Sequence, residues 1–215
     1  DNLKKVYKHG SLSIGFIGLA ETLKALIGVH HGESEEAQEL GVKIIKFMRD
    51  TCDEYAEEYN LNFTLLATPA EGLSGRFVKI DKEKYGKIEG ITDRDYYTNS
   101  FHVPVYFDIS IKDKLSLEAP YYALTNGGHI TYVELDGDTT QNLEAFEEVV
   151  RMMHDYQIGY GAVNHPVDRD PVCGYTGDFG FERIRRITGY LVGTLDRFNN
   201  AKRAEEHDRV KHDLL

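Results

Sequence analysis

The sequence predicts an α/β fold, and two observations carry that prediction. The first is alternation. A β-rich run over residues 62–67 leads into a helix. A run over 129–135, a helical stretch over 143–153 and a run over 158–163 then repeat strand, helix, strand. That order is the signature of strands joined by right-handed crossovers. The second is size: 215 residues, 41% of them hydrophobic, suffice for a substantial core.

The elements follow in order. Residues 11–28 place Phe16, Leu19, Leu23, Leu26 and Ile27 at helical spacing, which predicts one helix, broken over 28–32. Ser34 is a candidate N-cap, with Glu35 and Glu36 in the first turn, where acidic groups suit the helix dipole. Leu40, Ile44, Phe47, Met48 and Tyr55 form one face of a long helix ending near Tyr59. The short strand over 62–67 runs into Thr68-Pro69, a helix entry in which proline loses no useful donor. Residues 88–133 are rich in aromatic and β-branched side chains and predict loops with short strands. The strand over 129–135 ends at the turn signal Asp136-Gly137-Asp138. Leu143, Phe146, Val149, Val150 and Met153 mark a helix capped by Thr140, and 158–163 is a strand. Residues 164–181 predict loop, 182–195 is mixed, and 199–212 is a charged terminal helix.

Charge narrows the function. Lys plus Arg number 25 against 36 Asp plus Glu, a net −11. Duplex nucleic acid needs clustered cations, so it is not an expected partner, whereas a nucleotide needs only a local site. No apolar run reaches the roughly 18 residues of a membrane span, and no signal-peptide pattern opens the chain. Two cysteines, Cys52 and Cys173, make no disulfide framework, and a reducing cytoplasm is the expected compartment.

Few residues carry chemistry on their own pattern. Thr68-Pro69-Ala70-Glu71 at a strand-to-helix junction offers free amides and a favourable dipole to an anion, though an ordinary capped helix reads the same way. His30, His31, His102, His129, His154 and His165 are scattered without metal-ligand spacing. Gly127-Gly128 reads as a turn. Arg183, Arg185 and Arg186 form a cationic stretch, either a solvated helix face or a recognition surface for a partner. Gly189 lies in the apolar run Arg185-Arg186-Ile187-Thr188-Gly189-Tyr190-Leu191-Val192-Gly193, where glycine by itself marks a turn or close backbone approach.

That last run resembles the glycyl-radical loop of the anaerobic (class III) ribonucleoside-triphosphate reductases. Other segments resemble the same family in the same order: residues 13–21, 30–34, 65–71, 98–104, 123–130, 164–177 and 181–212. The resemblance implies part of the ten-stranded α/β barrel of glycyl-radical enzymes over 1–163, and a C-terminal radical segment over 164–215. It makes Gly189 the radical site, because only glycine lets a Cα radical become planar and delocalise over both flanking amides. It gives Thr68, Ala70, Glu71 and Ser74 the role of holding substrate phosphates, with Glu71 also a candidate for capping or base contact.

The implied activity is reduction of ribonucleoside triphosphates to deoxyribonucleotides for DNA synthesis. The radical would be generated on Gly189 by a separate iron–sulfur, S-adenosylmethionine-dependent activase. The cysteine oxidised to a thiyl would lie upstream of residue 1, so the isolated chain is expected to be inactive and, with cut strand edges, to self-associate. Many relatives carry a four-cysteine zinc module before the radical loop. Here Cys173 stands alone, only residues 174–180 separate it from Phe181, and Asp178-Phe179-Gly180 resembles a short replacement connector, so no zinc is expected. The alternative reading is a catalytically silent engineered or truncated scaffold that at most binds nucleotide.

Overall fold

The computed structural model describes residues 2–135, 139–164, 167–169, 172–173, 176–177, 182–188, 191–194 and 197–214. It is a mixed α/β arrangement. A first helix, α1 (Asn2–His9), precedes strand β1 (Ser11–Phe16), which pairs in parallel with β2 (Asn62–Ala67) from Ser11↔Asn62 to Phe16↔Ala67. The single helix expected over 11–28 is therefore a strand and then a helix, α2 (Leu19–Ile27). Leu12, Ile14 and Phe16 alternate at period two, whereas Leu19 and Leu23 follow a helical period. Gly18, at φ 75°, separates the two patterns, and Gly28, at φ 84°, ends the helix.

The next helix, α3 (Glu35–Tyr59), begins as predicted, with the Ser34 hydroxyl accepting from the Ala37 amide at 3.1 Å. Its buried face differs from the prediction. Ala37, Gly41, Ile45 and Cys52 are buried, Leu40, Ile44 and Met48 flank them, and Phe47 and Tyr55 are exposed. Gly41 sits at the closest approach, since a Cβ there would meet the Tyr121 hydroxyl at 2.5 Å.

After β2 comes α4 (Gly72–Tyr85), three residues later than Thr68-Pro69 implied. A helix over Ile111–Tyr122, α5, replaces the loops expected there. Ser110 caps it by accepting from the Asp113 amide, and Ile111, Leu115, Glu118 and Tyr122 fall on its buried side. Pro120 sits in its last turns and masked the helical pattern.

Strands β3 (Thr131–Glu134) and β4 (Gly161–Asn164) form a second parallel pair, linked through α6 (Leu143–Asp155). The cap of α6 is Asn142, not Thr140, which lies in a 3-10 turn. The chain entering β3 runs beside β2. Leu66 and Gly128 form a parallel bridge, and the Gly127 amide donates to the Leu65 carbonyl at 2.8 Å. The expected turn is there, closed by the Gly128 amide donating to the Thr125 carbonyl at 3.1 Å, and a Cβ at Gly127 would lie 2.8 Å from the Leu65 carbonyl oxygen, so this glycine also serves close backbone approach.

The region expected to be loop contains β5 (Val167–Arg169) and β6 (Thr176–Gly177). These join β7 (Glu182–Thr188) and β8 (Leu191–Thr194) in an antiparallel sheet of order β6-β5-β7-β8. Arg183, Arg185 and Arg186 thus lie on a strand, not a helix. Gly189 and the residues 178–181 fall outside the described residues, so the radical-loop and connector expectations do as well. The final helix, α7 (Asn200–Asp208), packs on α4 where a Cβ on Gly75 would come within 2.4 Å of Ala201 Cβ. Among the described residues there is no closed barrel.

One apolar cluster joins Leu19, Leu23, Ile45, Leu65, Phe101 and Tyr121 between α2, α3, β2 and α5. Phe101 and Tyr121 stack with ring centroids 5.1 Å apart. A second cluster joins Ile111, Leu115, Val133, Val149 and Met152.

Candidate functional site

Strands β1 and β2 are parallel, so both end at the same edge, and the crevice beyond the carboxyl ends of parallel strands is where α/β folds bind ligands. The segment Thr68–Glu71 occupies that position. The Thr68 amide donates to the Phe16 carbonyl at 3.3 Å, continuing the pairing one residue past β2. Its hydroxyl lies over Gly15, where a Cβ would meet it at 2.2 Å, and reaches only the Leu66 carbonyl, at 3.5 Å. The Ala70 amide donates both to the Thr68 carbonyl and to Asn99 Oδ1, each at 3.0 Å. These bonds hold Pro69 and Ala70 outside the helix, which explains its late start.

Glu71 is the N-cap residue of α4, and no side chain caps the helix. Its first amides and the positive end of its dipole are therefore presented at the strand ends. Ser74 is fully buried, and its hydroxyl donates to the Glu71 carbonyl at 3.2 Å. The structure thus brings Thr68, Ala70 and Glu71 together on the loop and places Ser74 beneath it as a support. The Ala70 amide is engaged within the protein.

Sequence reasoning missed Asn99, which ties the loop to residues 98–100. That segment is held from several sides. The Glu21 carboxyl accepts from the Thr98 amide and hydroxyl at 3.0 and 2.7 Å. Gly18 and Leu19 amides donate to the Thr98 and Ser100 carbonyls. Ser100 takes the left-handed φ of 43°. Burial pushes the Glu21 carboxyl above its usual range against the hydrogen bonds from Thr98. None of this is periodic, so no pattern in the sequence pointed to Asn99.

Behind the loop lies a buried charged network. Glu118 on α5 is fully buried. It accepts from Lys114 Nζ at 2.5 Å, the Val103 amide at 3.1 Å and the Thr131 hydroxyl at 3.2 Å. His102 Nδ1 lies 3.2 Å away without hydrogen-bond alignment. Burial alone would raise this carboxyl, but Lys114 and His102 outweigh it and hold Glu118 well below the carboxylate range. A second set follows. Glu205 pairs with Lys202 and with Arg209, whose guanidinium also lies 3.7 Å from Glu134. The C-terminal residues close over this set, the His212 amide donating to the Glu134 carbonyl and His212 Nδ1 accepting from the Glu134 amide, both at 2.9 Å.

Two of the described histidines are tied into local turns. His30 Nδ1 accepts from the Gly32 amide, and His129 Nδ1 lies 3.0 Å from the Thr125 hydroxyl. Both nitrogens of buried His31 lack a hydrogen-bond partner. Among the described residues, no group of three or more His, Cys, Asp or Glu is placed to hold a metal, and His165 lies outside them. Cys52 is buried and Cys173 exposed.

Burial pushes the His30 and His31 imidazoles down to about 4 and that of His212 to about 3. Each folded-state value is below the unfolded value, so the unfolded chain binds more protons between them. Stability from these groups is complete above about pH 6.5 and lost as pH falls toward 4, by about 1.4 kcal/mol per pH unit for each imidazole. Burial lowers His129 in the same direction, and Glu21 alone of these groups opposes it. Urea midpoints are expected to fall between pH 7 and pH 5, and midpoints independent of pH over that range would contradict the assignment.

Comparison with known proteins settles the family. The profile of one family, anaerobic ribonucleoside-triphosphate reductase, matches residues 1–212. The chain belongs to that family. The anaerobic ribonucleoside-triphosphate reductase of Escherichia coli K12 is 37% identical over 234 residues, covering 99% of this chain and 33% of the relative. The enzyme of that name from enterobacteria phage T4 is 38% identical over 236 residues, covering 99% and 36%. The chain thus spans about a third of these reductases. Both alignments are longer than the chain's 215 residues, so the relatives carry residues that it lacks.

Solved structures agree on the fold. One anaerobic ribonucleotide reductase superposes with TM-score 0.79 at 21% identity over 97% of this chain and 35% of that one. A Thermotoga maritima anaerobic ribonucleotide reductase in complex with dATP and CTP gives 0.70 at 19% identity, over 92% and 35%. No helix among the described residues is long and apolar enough to cross a membrane.

Proposed function

We propose that this chain is the radical-bearing portion of an enzyme that reduces ribonucleoside triphosphates to deoxyribonucleotides. One observation carries the proposal, family membership across residues 1–212, and the uncapped start of α4 just past the shared carboxyl end of two parallel strands supports it. In this reading β1 to β4 are staves of a ten-stranded barrel completed by other parts of the polypeptide. The division into a barrel portion over 1–163 and a radical segment over 164–215 belongs to the same proposal.

The chemistry is divided. A separate activase removes a hydrogen atom from the Gly189 α-carbon. The resulting radical oxidises a cysteine outside this chain, and that thiyl abstracts hydrogen from the substrate ribose. The Thr68–Glu71 loop holds the phosphates. Thr68 has a hydroxyl with only one long internal contact, and the first amides of α4 face the same edge. Glu71 carries charge of the wrong sign for phosphate and its side chain makes no capping bond to α4, so its part is contact with the base.

Zinc is not assigned to this chain. Cys173 by itself cannot furnish a tetrahedral site. Among the described residues β1 pairs with β2 alone, which supports association of its other edge with another copy or another part of the polypeptide.

Thr68→Val, in the polypeptide that carries this chain, tests the loop. Loss of one hydrogen bond to a charged group is expected to weaken binding of a ribonucleoside triphosphate by roughly tenfold or more. Unchanged affinity in calorimetry would return the segment to ordinary helix entry.

A further inference from the structure

Asn99 is placed with unusual care for a residue that does so little inside the protein. Its side chain is 8% exposed, and its backbone carbonyl accepts from the His102 amide. Residue 98 is clamped by Glu21 and Gly18, and residue 100 is held left-handed. Such over-determination fixes a side chain in one direction. The Ala70 amide can only donate, so the atom facing it is Oδ1, and the orientation of the Asn99 amide follows without ambiguity. Nδ2 and its two N–H groups then point elsewhere. Among the described residues nothing accepts from them, yet this nitrogen is not sealed from solvent.

An ordinary bracing role does not explain the residue type. For accepting from Ala70, aspartate would serve at least as well, since a charged acceptor makes the stronger bond. Asparagine adds two donors and neutrality. Both suit an anion bound beside it, and the Ala70 that Oδ1 holds directly precedes Glu71, the N-cap residue of the uncapped α4.

We propose that Asn99 is a substrate-contacting residue: Oδ1 fixes the Ala70 amide while Nδ2 donates to a phosphate oxygen of the nucleotide held at Thr68–Glu71. This rests on the phosphate-loop reading above and extends it to a residue 29 positions away in sequence. The competing acceptor is water. Asn99 also borders a cavity of about 40 Å³ shared with Thr98, His102 and Tyr132, large enough for water.

Asn99→Asp separates these possibilities, because it keeps the acceptor for Ala70, removes the donors and adds a negative charge. In the polypeptide carrying this chain, the variant is expected to keep the wild-type thermal midpoint. Its Kd for a ribonucleoside triphosphate should rise at least about tenfold, and so should that for inorganic tripolyphosphate, which has no base or sugar. Asn99→Ser, neutral and lacking the amide donors, should show a smaller loss of the same kind. It serves as the test if the aspartate variant does not fold. Wild-type affinity for tripolyphosphate in either folded variant, with Thr68→Val weakened, would overturn the role of Asn99 and leave the loop standing. Failure of the wild-type protein itself to bind tripolyphosphate would remove both.

Discussion

Replacing Glu118 by alanine is expected to destabilise the fold by about 3–5 kcal/mol, the usual cost of removing one member of a buried ion pair. The carboxylate accepts from Lys114, Val103 and Thr131, and both it and Lys114 are buried. Without it the ammonium is left uncompensated in the interior, and the Val103 amide and Thr131 hydroxyl lose their acceptor. These partners come from α5, the 102–103 segment and β3, so one substitution loosens three elements that back the candidate site. Changing Lys114 to Met and Glu118 to Leu together should recover the part of the loss due to the unpaired ammonium, while the Val103 amide and Thr131 hydroxyl still lack their acceptor. A urea-unfolding midpoint for Glu118→Ala within error of the wild type would contradict this account of the network.

Much of the architecture was legible in the sequence. The β2 strand, the Ser34 cap and the length of α3 follow from local chemistry that tertiary contacts did not override. Where reading failed, the cause is physical. Residues 11–28 hold a period of two and a period of 3.6 end to end, and averaging them hid β1. Pro120 and the surrounding aromatics hid α5. The inward face of α3 was misplaced because Gly41 and Ala37, small residues at a tight contact with Tyr121 and α2, do not register as hydrophobic markers.

The candidate site was legible in part. Thr68, Ala70 and Glu71 stand together at the strand ends, since a strand followed by a helix start puts them there whatever the rest of the chain does. Ser74 lies underneath instead of in the site, a consequence of the helix starting at Gly72. Asn99 and Glu118 act through contacts 29 and 13 residues apart with Ala70 and Thr131, and no local pattern encodes such distances.

The second large effect concerns Gly189, which the family resemblance assigns as the radical site. Removal of one of its two α-hydrogens leaves a planar carbon flanked by two amides, stabilised by delocalisation. A methyl group at that carbon crowds the planar arrangement and changes the hydrogen that the activase must reach. Gly189→Ala is therefore expected to abolish radical storage entirely.

Electron paramagnetic resonance of the anaerobically activated polypeptide tests the central claim most directly. The wild type should give a doublet, from coupling of the unpaired electron to the single remaining α-hydrogen. The splitting should collapse when glycine is supplied deuterated at the α-carbon, and the Gly189→Ala protein should be silent. A doublet that persists in Gly189→Ala would contradict the assignment of this chain as the radical-bearing portion of the enzyme.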